Sequence, residues 1–131
     1  MYLPDQELFD CLYAKSEDLG YDTYDHLPLR TENAKYPFVN IGDVQQLNAA
    51  NTTAIGAELH ITINVWGTRE ERFTVAKMCE SLSELANTVQ YTDHFRFIGR
   101  PSRTDKQIIT DTSVPDTVLK HGILELVFTL G

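Results

Sequence analysis

The chain reads as an α+β domain, a two-layer sandwich in which a mostly antiparallel sheet of four to five strands carries two helices packed on one face. Three observations predict this. In Glu58-Leu59-His60-Ile61-Thr62-Ile63-Asn64-Val65-Trp66, aliphatic residues alternate with polar ones, a period of two that sends one row to each sheet face. Directly after it, Val75, Met78, Cys79, Leu82, Leu85, Ala86 and Val89 recur at helical spacing over Arg69–Val89, with Glu70, Arg72, Lys77, Glu80 and Glu84 mostly opposite. Connections on the strand side are of hairpin length, which favours antiparallel neighbours with the helices gathered on one face. No repeat, low-complexity tract or linker divides the sequence, so residues 1–131 read as a single domain.

Taken in order, the first helix spans Pro4–Leu19. Pro4 suits a first turn, Asp5 and Glu7 suit the positive end of the helix dipole, and Gly20 suits the stop. Leu8, Cys11, Leu12 and Leu19 form its apolar stripe. Tyr21–Leu29 predicts a short strand or extended segment ended by Pro28, and Tyr36–Gly42 a strand with Pro37 at its start. Gly42-Asp43 reads as a turn. Val44–Thr53 has no period and is rich in Asn, Gln and Thr, so Gln45, Gln46, Leu47, Asn48 and Asn51 are assigned to a mobile assembly loop. Thr68 with Glu71 three residues on has capping-box spacing for the second helix. His94–Arg100 predicts a strand broken at Gly99-Arg100-Pro101. Lys106–Asp111 continues that strand or forms a hairpin arm, and Ser113–Asp116 turns around Pro115. Thr117–Leu130 is a long strand whose second face, bearing Ile123 and Val127, is partly covered.

Composition bounds the function. With 42% hydrophobic and 23% charged residues the chain is ordinary for a globular domain, and the net charge of −8 argues against binding nucleic acid through phosphate neutralisation. No apolar run approaches the roughly 18 residues of a membrane helix. The start, Met1-Tyr2-Leu3-Pro4-Asp5, lacks the pattern of a secretory signal, from which an intracellular product is expected. The charge is unevenly placed. Residues 1–25 carry Asp5, Glu7, Asp10, Glu17, Asp18, Asp22 and Asp25 against Lys15 alone, whereas Arg96, Arg100, Arg103 and Lys106 stand together against Asp105. Two readings fit: a pair of solvated surfaces, or complementary patches that meet between neighbouring copies of the chain.

The search for chemistry assigns no catalytic, metal or cofactor site. His26, His60, His94 and His121 fall in different predicted elements, and Asp22, Asp25 and His26 on one strand would not point the same way, a poor ligand set. There is no G-x-S-x-G, P-loop or G-x-G-x-x-G motif. Adjacent acids such as Glu70-Glu71 and Glu17-Asp18 look like solvated helix faces. Cys11 and Cys79 each lie on the apolar side of a predicted helix and read as small buried hydrophobes. Trp66, at a strand end, reads as core or interface.

Four stretches in order carry a resemblance: Tyr24-Asp25-His26-Leu27-Pro28; Tyr36-Pro37-Phe38-Val39-Asn40-Ile41-Gly42-Asp43; Val65-Trp66-Gly67 followed by the amphipathic helix; and His121-Gly122-Ile123-Leu124-Glu125-Leu126. From about Leu8 to Phe128 the chain resembles the tail-completion proteins of long non-contractile-tailed bacteriophages, also called tail terminators or head-to-tail joining proteins. The resemblance implies a small α/β subunit that closes into a hexameric ring on the last ring of the tail tube. That ring ends polymerisation and meets the head connector or neck protein. It implies no cofactor, no catalysis and no membrane, with DNA only passing through the channel. The protein would be made in the host cytoplasm and reside in the virion, at the top of the tail. A ring needs two different complementary patches per subunit. The acidic residues Asp5, Glu7, Asp10, Glu17 and Asp18 and the basic residues Arg96, Arg100, Arg103 and Lys106 are the candidates. The 44–53 loop and the 100–115 arm are expected to order on assembly. The alternatives are a head-side neck adaptor and a non-viral small-molecule or protein-binding α+β module.

Overall fold

The period of two that begins at Glu58 runs on to Thr68 in the computed structural model, which describes residues 1–28, 32–47 and 56–131. In chain order the elements are helix α1 (Pro4–Asp18), strands β1 (Thr23–Tyr24), β2 (Phe38–Leu47) and β3 (Glu58–Thr68), and helix α2 (Arg72–Ser83). Strands β4 (Val89–Tyr91), β5 (Arg96–Gly99), β6 (Asp105–Asp111) and β7 (Leu119–Leu130) follow. Tight 3-10 turns occupy Arg69–Glu71, Glu84–Asn87 and Pro101–Arg103.

The sheet has seven strands rather than four to five, in the order β1-β2-β3-β7-β5-β4, with β6 also paired to β7. All pairings but β1–β2 are antiparallel. β7 is the spine. One of its edges takes the whole of β3, from Leu119↔Thr68 to Thr129↔Glu58. The other is shared end to end by β6, opposite Leu119–Glu125, and β5, opposite Phe128–Leu130. The extra strands are β4, three residues too short to show a period, and β6, which is separate from β5 rather than its continuation.

Residues paired directly across an antiparallel ladder share a face. Leu59, Ile61, Ile63 and Val65 therefore lie beside Phe128, Leu126, Leu124 and Gly122, and this row is buried. Both helices cover it: Leu8 and Leu12 of α1 and Val75, Met78, Cys79 and Leu82 of α2 belong to the same core cluster. Gly122 lets α2 approach, since a Cβ there would collide with Cys79 Sγ. The entry to α2 is fastened as its sequence predicts, with the Thr68 N–H donating to Glu71 Oε1 at 2.8 Å. Its exit departs from expectation. The helix ends at Ser83, the chain tightens over Glu84–Asn87, and Val89 begins a strand.

β2 gives the second correction. Gly42-Asp43 makes no turn; the register shifts between Ile41 and Val44, a bulge that absorbs the extra residues and lets the strand continue. Gln45, Gln46 and Leu47, assigned to a loop, are strand residues opposite His60, Leu59 and Glu58. Asn48 and Asn51 lie outside the described residues. Within the 100–115 arm, Asp105–Asp111 is a strand paired with β7 along its whole length, as one of the two readings of Lys106–Asp111 expects.

Candidate interaction surfaces

The outer side of α1 carries the acidic residues the sequence picked out. Asp5, Asp10, Glu17 and Asp18 are exposed, while Glu7 is half-buried against the β4–β5 turn. Glu7 accepts from the His94 backbone N–H at 3.2 Å and contacts the His94 Nδ1 at 2.8 Å. Tyr2 stacks on the same imidazole with centroids 3.4 Å apart. Desolvation, which by itself would raise the Glu7 carboxyl, is outweighed by hydrogen bonds from Thr92 and His94, so it stays below its ordinary range. Between α1 and this turn runs a groove of about 430 Å³, bordered by Asp10, Ala14, Asp18, Tyr91 and Asp93. Tyr91 is 70% exposed there.

The four bases do not form one patch. Arg96 sits on β5, paired opposite Tyr91, and Arg100 donates from Nε to Thr129 Oγ1 at 2.8 Å. Arg103 grips Glu58 with both terminal nitrogens, Nη2 to Oε2 at 3.0 Å, on the side of the sheet away from the helices. Lys106 is registered with Leu124 on the helix side and reaches Glu80 of α2 at 2.5 Å. Alternation along the strand separates these neighbours in sequence, and the acids that neutralise two of them come from distant elements. Sequence reasoning had no signal for those partners.

The sheet face away from the helices holds the polar residues expected on β3, joined across strands into two networks whose partners the sequence does not show. In the first, His60 lies between Glu125, 2.9 Å from Nδ1, and Glu58, 3.2 Å from Nε2. The hydrogen bond to Glu125, aided by the one to Glu58, prevails over desolvation and raises the His60 pKa. The Arg103 guanidinium, then His60, pull the Glu58 carboxyl down to about 2. In the second network, His121 Nε2 meets Asn64 Oδ1 at 2.8 Å and Asn64 Nδ2 donates to Asn40 Oδ1 at 3.2 Å, crossing three strands. Trp66 stacks on His121, centroids 3.7 Å apart and rings 11° from parallel. Burial lowers the His121 pKa, with Asp111 opposing at 4.0 Å. Among the described residues Trp66 Nε1 is buried without a hydrogen-bond partner.

Near this network, Pro28, Tyr36, Phe38, Val114 and Pro115 line a cleft of about 500 Å³. His26 is held between Asp25 at 2.7 Å and Glu32 at 2.8 Å rather than with Asp22. Among the described residues no group of three or more His, Cys, Asp or Glu side chains is placed to hold a metal ion. Both cysteines are free thiols; burial pushes Cys79 up to about 11 and also raises Cys11.

No family model matches the chain, and no curated protein matches it. Among solved structures it is similar to a chain of the "Virion of native gene transfer agent (GTA) particle", with a TM-score of 0.65 and 14% identity over 100% of both chains. At that identity the likeness establishes a common fold from end to end.

Proposed function

We propose that this chain is a structural protein of a phage-like virion whose copies close into a ring, a hexamer by resemblance, that caps the tail tube. The ring stops tube growth and presents a surface to the connector or neck of the head. The observation that carries this reading is the fold shared over the full length of both chains with a component of a gene transfer agent virion. The ordered sequence motifs, from Tyr24–Pro28 to His121–Leu126, point the same way. The surface suits the role: α1 is acidic outside, and exposed Tyr2, Phe73 and Tyr91 offer apolar contact. The protein acts by shape and makes or breaks no bonds, and its partners are its own copies, the tube protein and the head connector. An acidic protein also suits a channel that DNA must traverse without sticking.

The test is to mix the purified protein with tail tubes and image the tube ends by electron microscopy. Ring density on one end of each tube, with growth halted, is the expected result. Particles made without the protein should bear overlong tails. Full heads that leak DNA would instead assign the ring to the head side of the neck.

A further inference from the structure

We infer that the subunits of the ring join by seating the outer face of α2 of one copy in the groove beside α1 of the next. The inference rests on the ring reading above and adds which surfaces meet. Phe73 and Lys77 stand one turn apart on α2, and Arg69 lies in the 3-10 turn just before it, so the two cations flank the ring along the chain. Phe73 is 76% exposed, a large apolar group with no cover in the single subunit. The Lys77 ammonium lies 5.8 Å from its ring centroid. Unlike Arg103 and Lys106, neither Arg69 nor Lys77 is ion-paired among the described residues. The stripe reads positive, aromatic, positive.

Asp10, Ala14 and Asp18 repeat the same spacing on the exposed side of α1, where the groove runs. That stripe reads negative, small, negative. Asp10 to Asp18 covers about 12 Å of α1, and Arg69 to Lys77 is the same number of residues along the chain. In register, the two carboxylates meet the two cations, and the Phe73 ring falls over the methyl of Ala14 beside exposed Tyr91. An aromatic knob over a small residue with charges at either side is how a specific helix contact is built. Asp93 adds to the acidic rim and Arg72 to the basic side, while Lys15 in the groove and Glu70 in the turn before α2 reduce the contrast, and Glu80 farther along α2 is taken up by Lys106. Because the two stripes are different surfaces of one chain, the contact is head-to-tail, as a ring requires.

Two charge-reversed chains test this. One carries Arg69→Glu and Lys77→Glu, leaving both of its surfaces acidic; the other carries Asp10→Lys and Asp18→Lys, leaving both basic. Native mass spectrometry and sedimentation velocity follow assembly. Neither variant should form rings alone, with association weakened at least a hundredfold. An equimolar mixture should restore rings with the two chains alternating, which also shows that both variants fold. Phe73→Ala should weaken association about tenfold. If each variant assembled alone like the wild type, or the mixture failed to assemble, the docking assignment would be overturned while the ring stood. A wild-type chain that stays monomeric at every concentration and on tube ends would overturn the ring and the docking together.

Discussion

His60 and His121 lie on the same sheet face yet shift in opposite directions. His60 is raised because two carboxylates accept from it; His121 is lowered because Trp66 and the surrounding strands remove it from water. For His60 the charged form favours the fold, so its contribution is complete below the unfolded value near 6.5 and is lost as pH rises through the higher folded value. For His121 the neutral form favours the fold, and the folded state is penalised as pH falls from about 6.5 toward the lower folded value. Resonances of the two imidazoles, followed by NMR against pH, should titrate on opposite sides of the unperturbed midpoint; coincident midpoints would refute both assignments. Glu58 belongs to the same network. Its lowered carboxyl stabilises the fold above the ordinary Glu range, an effect lost as pH falls toward 2. Arg103→Gln should return the Glu58 titration most of the way to its ordinary midpoint, since the guanidinium is the larger cause.

At the scale of elements, α2 is fixed on the sheet by close approach at Gly122. Gly122→Ala forces a methyl onto Cys79 Sγ, and overpacking of this kind costs about 1–3 kcal/mol. Urea denaturation should show the loss, whereas Phe73→Ala, at a 76% exposed site, should change stability by less than about 0.5 kcal/mol. The elements with a sustained period were legible in the sequence: α1, β3, the body of α2 and β7 fall within a few residues of expectation. β1 was legible only as a short stretch within Tyr21–Leu29, and β4 was not, because three residues contain no period to read. The end of β2 was lost for a different reason. Its bulge after Ile41 breaks the alternation, and the polar residues beyond it mimic a loop while the ladder to β3 continues. The acidic side of α1 could be read because Asp10, Glu17 and Asp18, seven and eight residues apart, return to one side of a helix. The basic segment could not, because a turn followed by a strand sends Arg103 and Lys106 to opposite faces, toward Glu58 and Glu80.

For the whole molecule, both helices cover one side of the sheet; α1 is acidic outside, and on α2 and the turn before it Arg69 and Lys77 flank exposed Phe73. A contact built from such charges is screened by salt, because the Debye length shrinks from about 10 Å at 0.1 M to about 3 Å at 1 M ionic strength. Assembly should therefore weaken as salt rises, with the apolar contribution of Phe73 persisting. The fold is shared from end to end with a chain of a gene transfer agent virion. The direct test is the length of tail tubes polymerised in vitro with and without the purified chain. Added protein should arrest elongation and leave a ring at one end of every arrested tube. Tubes that lengthen unchanged, with bare ends, would contradict the capping role.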